Sequence, residues 1–132
     1  MSEQEMNKMT DALQAVEDML TRSVRMQDKF KVGSPQHTLL VNRINSLRIA
    51  SSILSCELSG NDIMSMYSKD ALQNASVPLV SIVSKSEKVI LKLKPNSWQY
   101  KMLTDNLSAL DLVLTRIKKL SGDTEPSKID SI

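Results

Sequence analysis

The 132-residue sequence contains one cysteine, three glycines and four prolines, and aromatic residues make up only 3% of it. A single cysteine, Cys56, excludes an intramolecular disulfide and is typical of proteins from a reducing compartment. The scarcity of aromatic residues argues against a β-sheet protein, because sheets favour aromatic and β-branched side chains. The few glycines and prolines indicate long regular elements, with each of these residues marking an element boundary.

Other features that would point to a function class are also missing. No apolar run approaches the roughly 20 residues of a membrane-spanning helix, and residues 1–5 do not resemble a signal peptide. The lone His37 and the distant Cys56 form neither a metal-ligand cluster nor a nucleophile–base pair. The net charge of +2 does not require a nucleic-acid or membrane partner. We therefore expect a cytoplasmic, non-enzymatic protein with no cofactor, no bound metal and no membrane partner.

An internal repeat is the strongest positive signal. Residues 34–47 return in altered form as residues 97–110, an offset of 63. Because 63 is a multiple of seven, a heptad pattern of apolar residues keeps its phase between the two copies. We interpret this as a duplicated helical hairpin, with repeat 1 at about 3–58 and repeat 2 at about 62–120. The matched positions include Ser34/Ser97, Gln36/Gln99, Leu40/Leu103 and Leu47/Leu110.

Apolar spacing and capping residues predict the helices. A heptad pattern predicts helix one over about residues 3–31. Ser34 as N-cap and Pro35 as first helical residue begin helix two, which ends near Ser59-Gly60. Ser97 begins helix four, which runs to about residue 120. The predicted fold is all-α, an antiparallel up-down-up-down four-helix bundle in one domain of residues 1–122. Residues 123–132 are predicted to form a disordered tail.

The third helix is the least regular. Residues 62–74 show a helical pattern, and Asn61 or Asp62 is a suitable cap. Pro78 then lacks the amide hydrogen that a helix interior requires. We therefore predict that helix three is kinked or broken near Pro78 and resumes to about Lys94.

A candidate site lies where the two hairpin tips meet. In the predicted topology both tips lie at one end, where they gather lysines and two helix N-termini, an arrangement that attracts anions. The structural alternative, which the sequence favours, is that the serines cap helices, the lysines are solvated and the rings cover the core. The candidate anion- or partner-binding residues are Lys29, Lys31, Ser34, His37, Lys92, Lys94, Ser97, Trp98, Tyr100 and Lys101.

The function expected from these features is binding of another macromolecule. We expect a protein partner, with a homodimer left open, because no motif of enzymatic chemistry is present. The alternative is binding of an anionic ligand or nucleic acid at the lysine-rich tips. An ion pair between Arg43 and Asp105 is also expected, since the polar pairs Asn42-Arg43 and Asp105-Asn106 occupy equivalent repeat positions.

Overall fold

The computed structural model describes residues 1–122, and all regular structure in that range is helical. The four α-helices are α1 (Glu3–Met26), α2 (Pro35–Ser59), α3 (Lys69–Ile90) and α4 (Trp98–Ser121), with short 3-10 helices at Gln27–Lys29 and Ile63–Ser65. The helices pack against one another around a hydrophobic core, which confirms the prediction of an all-α fold. The tail predicted for residues 123–132 lies outside the described residues.

Capping residues fix the boundaries of α2 and α4 as predicted. The hydroxyl of Ser34 accepts a hydrogen bond from the His37 amide, and that of Ser97 accepts one from the Tyr100 amide, each at 3.2 Å. These bonds satisfy amides that have no partner inside the helix. Gly60 ends α2 in the left-handed conformation (φ +80°), where a side chain would introduce strain.

Helix α1 is shorter than predicted. It ends at Met26 and continues as a 3-10 turn through Lys29, so the expected extension to residue 31 is wrong. The turn tightens the chain, and Phe30 then adopts an extended conformation. Such 3-10 turns are common where an α-helix must end close to a sharp change of direction.

Helix α3 begins later than predicted and passes through Pro78. Asp62 caps only the 3-10 turn Ile63–Ser65, and the cap of α3 is Ser68, whose hydroxyl accepts from the Ala71 amide at 3.1 Å. The assignment of residues 62–68 to a helix is therefore wrong. The helix is continuous from Lys69 to Ile90, so helix three is not broken near Pro78, and the predicted alternative of a kink there stays a prediction. The extension to Lys94 is wrong. Burial of Leu72 and Leu79 on either side of the proline offsets its cost.

Each helix packs on two neighbours. Helix α1 contacts α2 and α4, and α3 contacts α4 and α2. The hydroxyl of Ser51 in α2 lies 3.4 Å from the Glu17 carboxylate of α1. Near their C-terminal ends α2 and α4 are joined by an ion pair between Glu57 and Arg116. No ion pair joins Arg43 to Asp105 in residues 1–122, because Asp105 pairs with Lys101 one turn away at 3.2 Å.

The core is wider than the predicted heptad stripe. It contains several of the predicted leucines, among them the fully buried Leu47 and Leu110, whereas Leu103 is only partly buried. It also contains Ala12, Ala15 and Met19 of α1, whereas Met6 is exposed although the heptad pattern predicts it inside. A helix with two neighbours must bury a broad face, so residues flanking the heptad positions are buried as well.

Candidate functional site

The predicted topology places the two connections between paired helices at the same end of the molecule. Arg22, near the end of α1, lines the same groove as Trp98 and Lys101 at the start of α4. This shared lining agrees with the predicted placement of the α1–α2 and α3–α4 connections. The tip end is defined here as residues 22–39 and 85–101, which contain both connections and the adjoining helix turns.

The tip end concentrates positive charge. Its two segments contain nine Lys or Arg residues against two acidic residues, Asp28 and Glu87, a net of seven positive charges. The whole chain has a net charge of +2, so the remaining residues carry a net of five negative charges. The predicted lysines of this end are all exposed: Lys29, Lys31, Lys92 and Lys94.

The other predicted residues of the tip end have structural roles. The Ser34 and Ser97 hydroxyls are engaged in capping, and the His37 and Tyr100 side chains are half-buried beside them. Ser97 also donates its hydroxyl to the Lys94 carbonyl at 2.8 Å. These observations agree with the structural alternative for the serines, His37 and Tyr100, whereas Trp98 is 70% exposed and does not cover the core. The anion-binding role of this end stays a prediction.

Exposed apolar side chains at the tip end were not predicted. Leu91 is 85% exposed, Val32 80%, Trp98 70% and Leu39 66%. Val24, Met26 and Val89 in the adjoining helix turns are exposed as well. A sequence signal exists in hindsight, because lysines alternate with apolar residues in 29–32 and again in 91–94. Such alternation in a connection leaves apolar side chains with no core to enter.

A groove of about 580 Å³ runs between α1 and α4. Small residues lie along it, including Ala12, Ala15 and Ala109, and Trp98 lines it at the tip end. Its polar residues bear both signs of charge, with Lys101 paired to Asp105 and Gln14 donating to Asp18 at 3.0 Å. The remaining lining residues include Lys8, Asp11, Arg22, Met102, Asn106, Ser108 and Leu112.

Other classes of site have no counterpart in residues 1–122. No three His, Cys, Asp or Glu side chains in this range form a group that could hold a metal ion. No helix of the described chain has the length and apolar character needed to cross a bilayer. No protein-family model matches the chain, and no curated protein or solved structure is detectably similar to it.

Proposed function

We propose that this is a non-enzymatic, cytoplasmic helical protein that acts by binding another protein in the groove between α1 and α4. The observation that carries the proposal is the groove itself, an open channel along two helices with an exposed tryptophan, Trp98, at one end. Tryptophan is enriched among the residues that dominate protein–protein binding energy. The free thiol of Cys56 supports a reducing compartment.

The shape and charge of the groove favour a helical segment of a partner. Its volume of about 580 Å³ would suit a small ligand, but it is an open channel that follows the helices. The alternating charges, such as Asp11, Asp18 and Arg22, can fix the register of an amphipathic helix. Nucleic acid is disfavoured there because the acidic side chains would repel phosphates.

The groove can be tested by filling it. Ser108 is exposed and lines the groove, so Ser108→Trp should obstruct it without disturbing the core. Ser84→Trp places the same side chain at an exposed position of α3 away from the groove. Affinity capture from the native host with quantitative mass spectrometry should enrich a partner with the wild type and the S84W control, and lose it with S108W. Equal enrichment by all three proteins would contradict the proposal.

A second candidate function is binding of an anionic ligand at the tip end. It is favoured by the seven net positive charges there and by the exposure of Lys31 and Lys92. Anion binding of this kind should weaken steeply as salt is raised, because neutralised phosphates release their counterions. Polyphosphate titrations at several salt concentrations measure it, and a salt-independent affinity would count against it.

We further propose that the architecture is an antiparallel up-down-up-down bundle of two tandem hairpins. Supporting observations are that each helix packs on two neighbours and that burial recurs at the offset of 63. Spin labels at Val32 and Leu91 test it, once Cys56 has been replaced by alanine. They should lie much closer together than labels at Val32 and Asn61, which a helix of about 36 Å would separate. The buried counterparts are Val16/Leu79, Ser23/Ser86, Leu47/Leu110 and Leu54/Ile117.

A further inference from the structure

We propose that the tip end docks the protein onto the surface of an anionic lipid membrane. The inference goes beyond protein binding in the groove, and it rests on the second candidate function because it names the anionic partner. Both rest on the charge of the tip end, but only docking on a bilayer also requires its exposed apolar side chains. The two ideas can therefore fail separately.

The apolar residues of the tip end are placed for shallow insertion. Val32 and Leu91 stand in the two connections, and both are more exposed than any other large hydrophobic side chain in residues 1–122. Trp98 is the first residue of α4 and follows the second connection in the chain. Aliphatic side chains at this position would enter the boundary between headgroups and acyl chains, where tryptophan is also enriched.

Cations surround these apolar residues. Lys31 precedes Val32, and Lys92 follows Leu91 directly in the chain. Cationic side chains next to an anionic leaflet strengthen binding by about fivefold each at physiological ionic strength. Only two acidic residues, Asp28 and Glu87, oppose nine cations in the two segments. The tip end is therefore complementary in charge to a surface of closely spaced negative headgroups.

The same residues disfavour other occupants. Single-stranded nucleic acid is bound by exposed aromatic rings on which the bases stack, and Trp98 is the one strongly exposed ring of the tip end, since Tyr100 is half-buried. Two tip ends from two copies of the chain would repel each other through seven positive charges on each. An acidic protein surface is the remaining alternative partner. Binding of an acidic peptide without binding to anionic vesicles would identify it.

The net charge of +2 and the lack of a spanning segment led to the expectation that a membrane is not a partner. That expectation treats charge as evenly spread. The proposed topology instead gathers the two basic segments at one end, together with the exposed Val32, Leu91 and Trp98, and Arg22 and Trp98 line one groove there. Docking at the lipid surface requires no spanning helix, because an apolar patch combined with basic residues provides both of the signals that peripheral binding needs.

The experiment uses vesicles of phosphatidylcholine alone and of phosphatidylcholine mixed with phosphatidylglycerol. The wild type should co-float with the anionic vesicles, stay in solution with the neutral ones, and be released by salt. Trp98 is the only tryptophan, so its emission should shift to shorter wavelength when anionic vesicles are added. Equal binding to both vesicle types, or no binding to either, would overturn the proposal.

Matched variants identify the docking residues. Val32→Glu with Leu91→Glu should reduce partition onto anionic vesicles by about tenfold or more. Val77→Glu with Val80→Glu makes the same chemical change at exposed valines of α3, and this control should bind as the wild type does. Circular dichroism checks that both variants are folded. An equal loss in both pairs would overturn the assignment to the tip end.

Two further comparisons separate this inference from the functions proposed above. The groove variant Ser108→Trp should bind anionic vesicles normally, since Ser108 lies outside the tip end. Salt-dependent binding of polyphosphate, RNA or an acidic peptide without binding to anionic vesicles would overturn membrane docking. That result would leave the second candidate function in place.

Discussion

Replacing Pro78 with alanine should stabilise the protein. Helix α3 runs unbroken from Lys69 to Ile90, so Pro78 lies in its interior and leaves the Asn74 carbonyl without its usual amide donor. Proline costs about 3 kcal/mol relative to alanine in a helix interior. Alanine at the equivalent position of the first repeat, Ala15, is buried in α1, which indicates that a methyl group fits this packing.

The expected net gain in stability is smaller than the cost of proline in the helix interior. Proline also restricts the unfolded chain, and losing that restriction costs up to about 1 kcal/mol. We therefore expect Pro78→Ala to raise the free energy of unfolding by about 2 kcal/mol. For a chain of this length that corresponds to about 7 °C in Tm. Urea titration and thermal scans followed by circular dichroism measure both quantities.

A matched control keeps the interpretation specific. Val77→Ala changes an exposed neighbour in the same helix and removes no hydrogen bond, so it should alter stability by less than about 0.5 kcal/mol. In the Pro78→Ala variant the new amide at residue 78 should also exchange slowly with solvent. An unchanged or lowered stability, with a rapidly exchanging amide, would refute the reasoning. It would mean that the core around Leu79 depends on the geometry that proline imposes.

Three further predictions concern the core, the inter-helix ion pair and the first helix cap. Leu47→Ala should lower the free energy of unfolding by about 2–5 kcal/mol in denaturant titrations, because Leu47 is fully buried. A double-mutant cycle on Glu57 and Arg116, which are both partly exposed, should give a coupling energy of about 1 kcal/mol or less, and a larger value would contradict a surface-like pair. The backbone amide of Ser2, followed by its hydroxyl, lowers the pKa of Glu5. Because Ser2→Ala removes the hydroxyl and keeps the amide, it should raise that pKa only part of the way toward its ordinary value in an NMR titration. Because the pKa is lowered in the folded state, the stabilisation by this capping box is present above the ordinary glutamate pKa and is lost as pH falls through the lowered one.

The boundaries that local chemistry determines could be predicted from sequence. Ser34 and Ser97 cap the helices that follow them, and Gly60 and Gly122 end helices in the left-handed conformation. Each of these signals depends on a few neighbouring residues. The start of α3 was missed because Asp62 is as good a cap as Ser68, and local signals alone do not separate a 3-10 turn from the first turn of a helix.

Features that depend on packing could not be predicted in the same way. Ala12 and Ala15 give a weak hydrophobic signal, yet they are buried because α1 has neighbours on both sides. Pro78 predicts an interruption of the helix, yet burial of the residues around it keeps the helix continuous. At the tip end the lysines follow from the repeat, whereas the exposure of Val32 and Leu91 depends on where the connections lie relative to the core.

The uneven charge of the chain gives it a large electric dipole moment. The tip end carries a net of seven positive charges and the rest of residues 1–122 a net of three negative charges, so positive charge is concentrated in one part of the described chain. It should adsorb to a cation-exchange resin end-on and elute later than its small overall charge implies. Near a negatively charged body, the field would favour encounters in which the tip end faces that body.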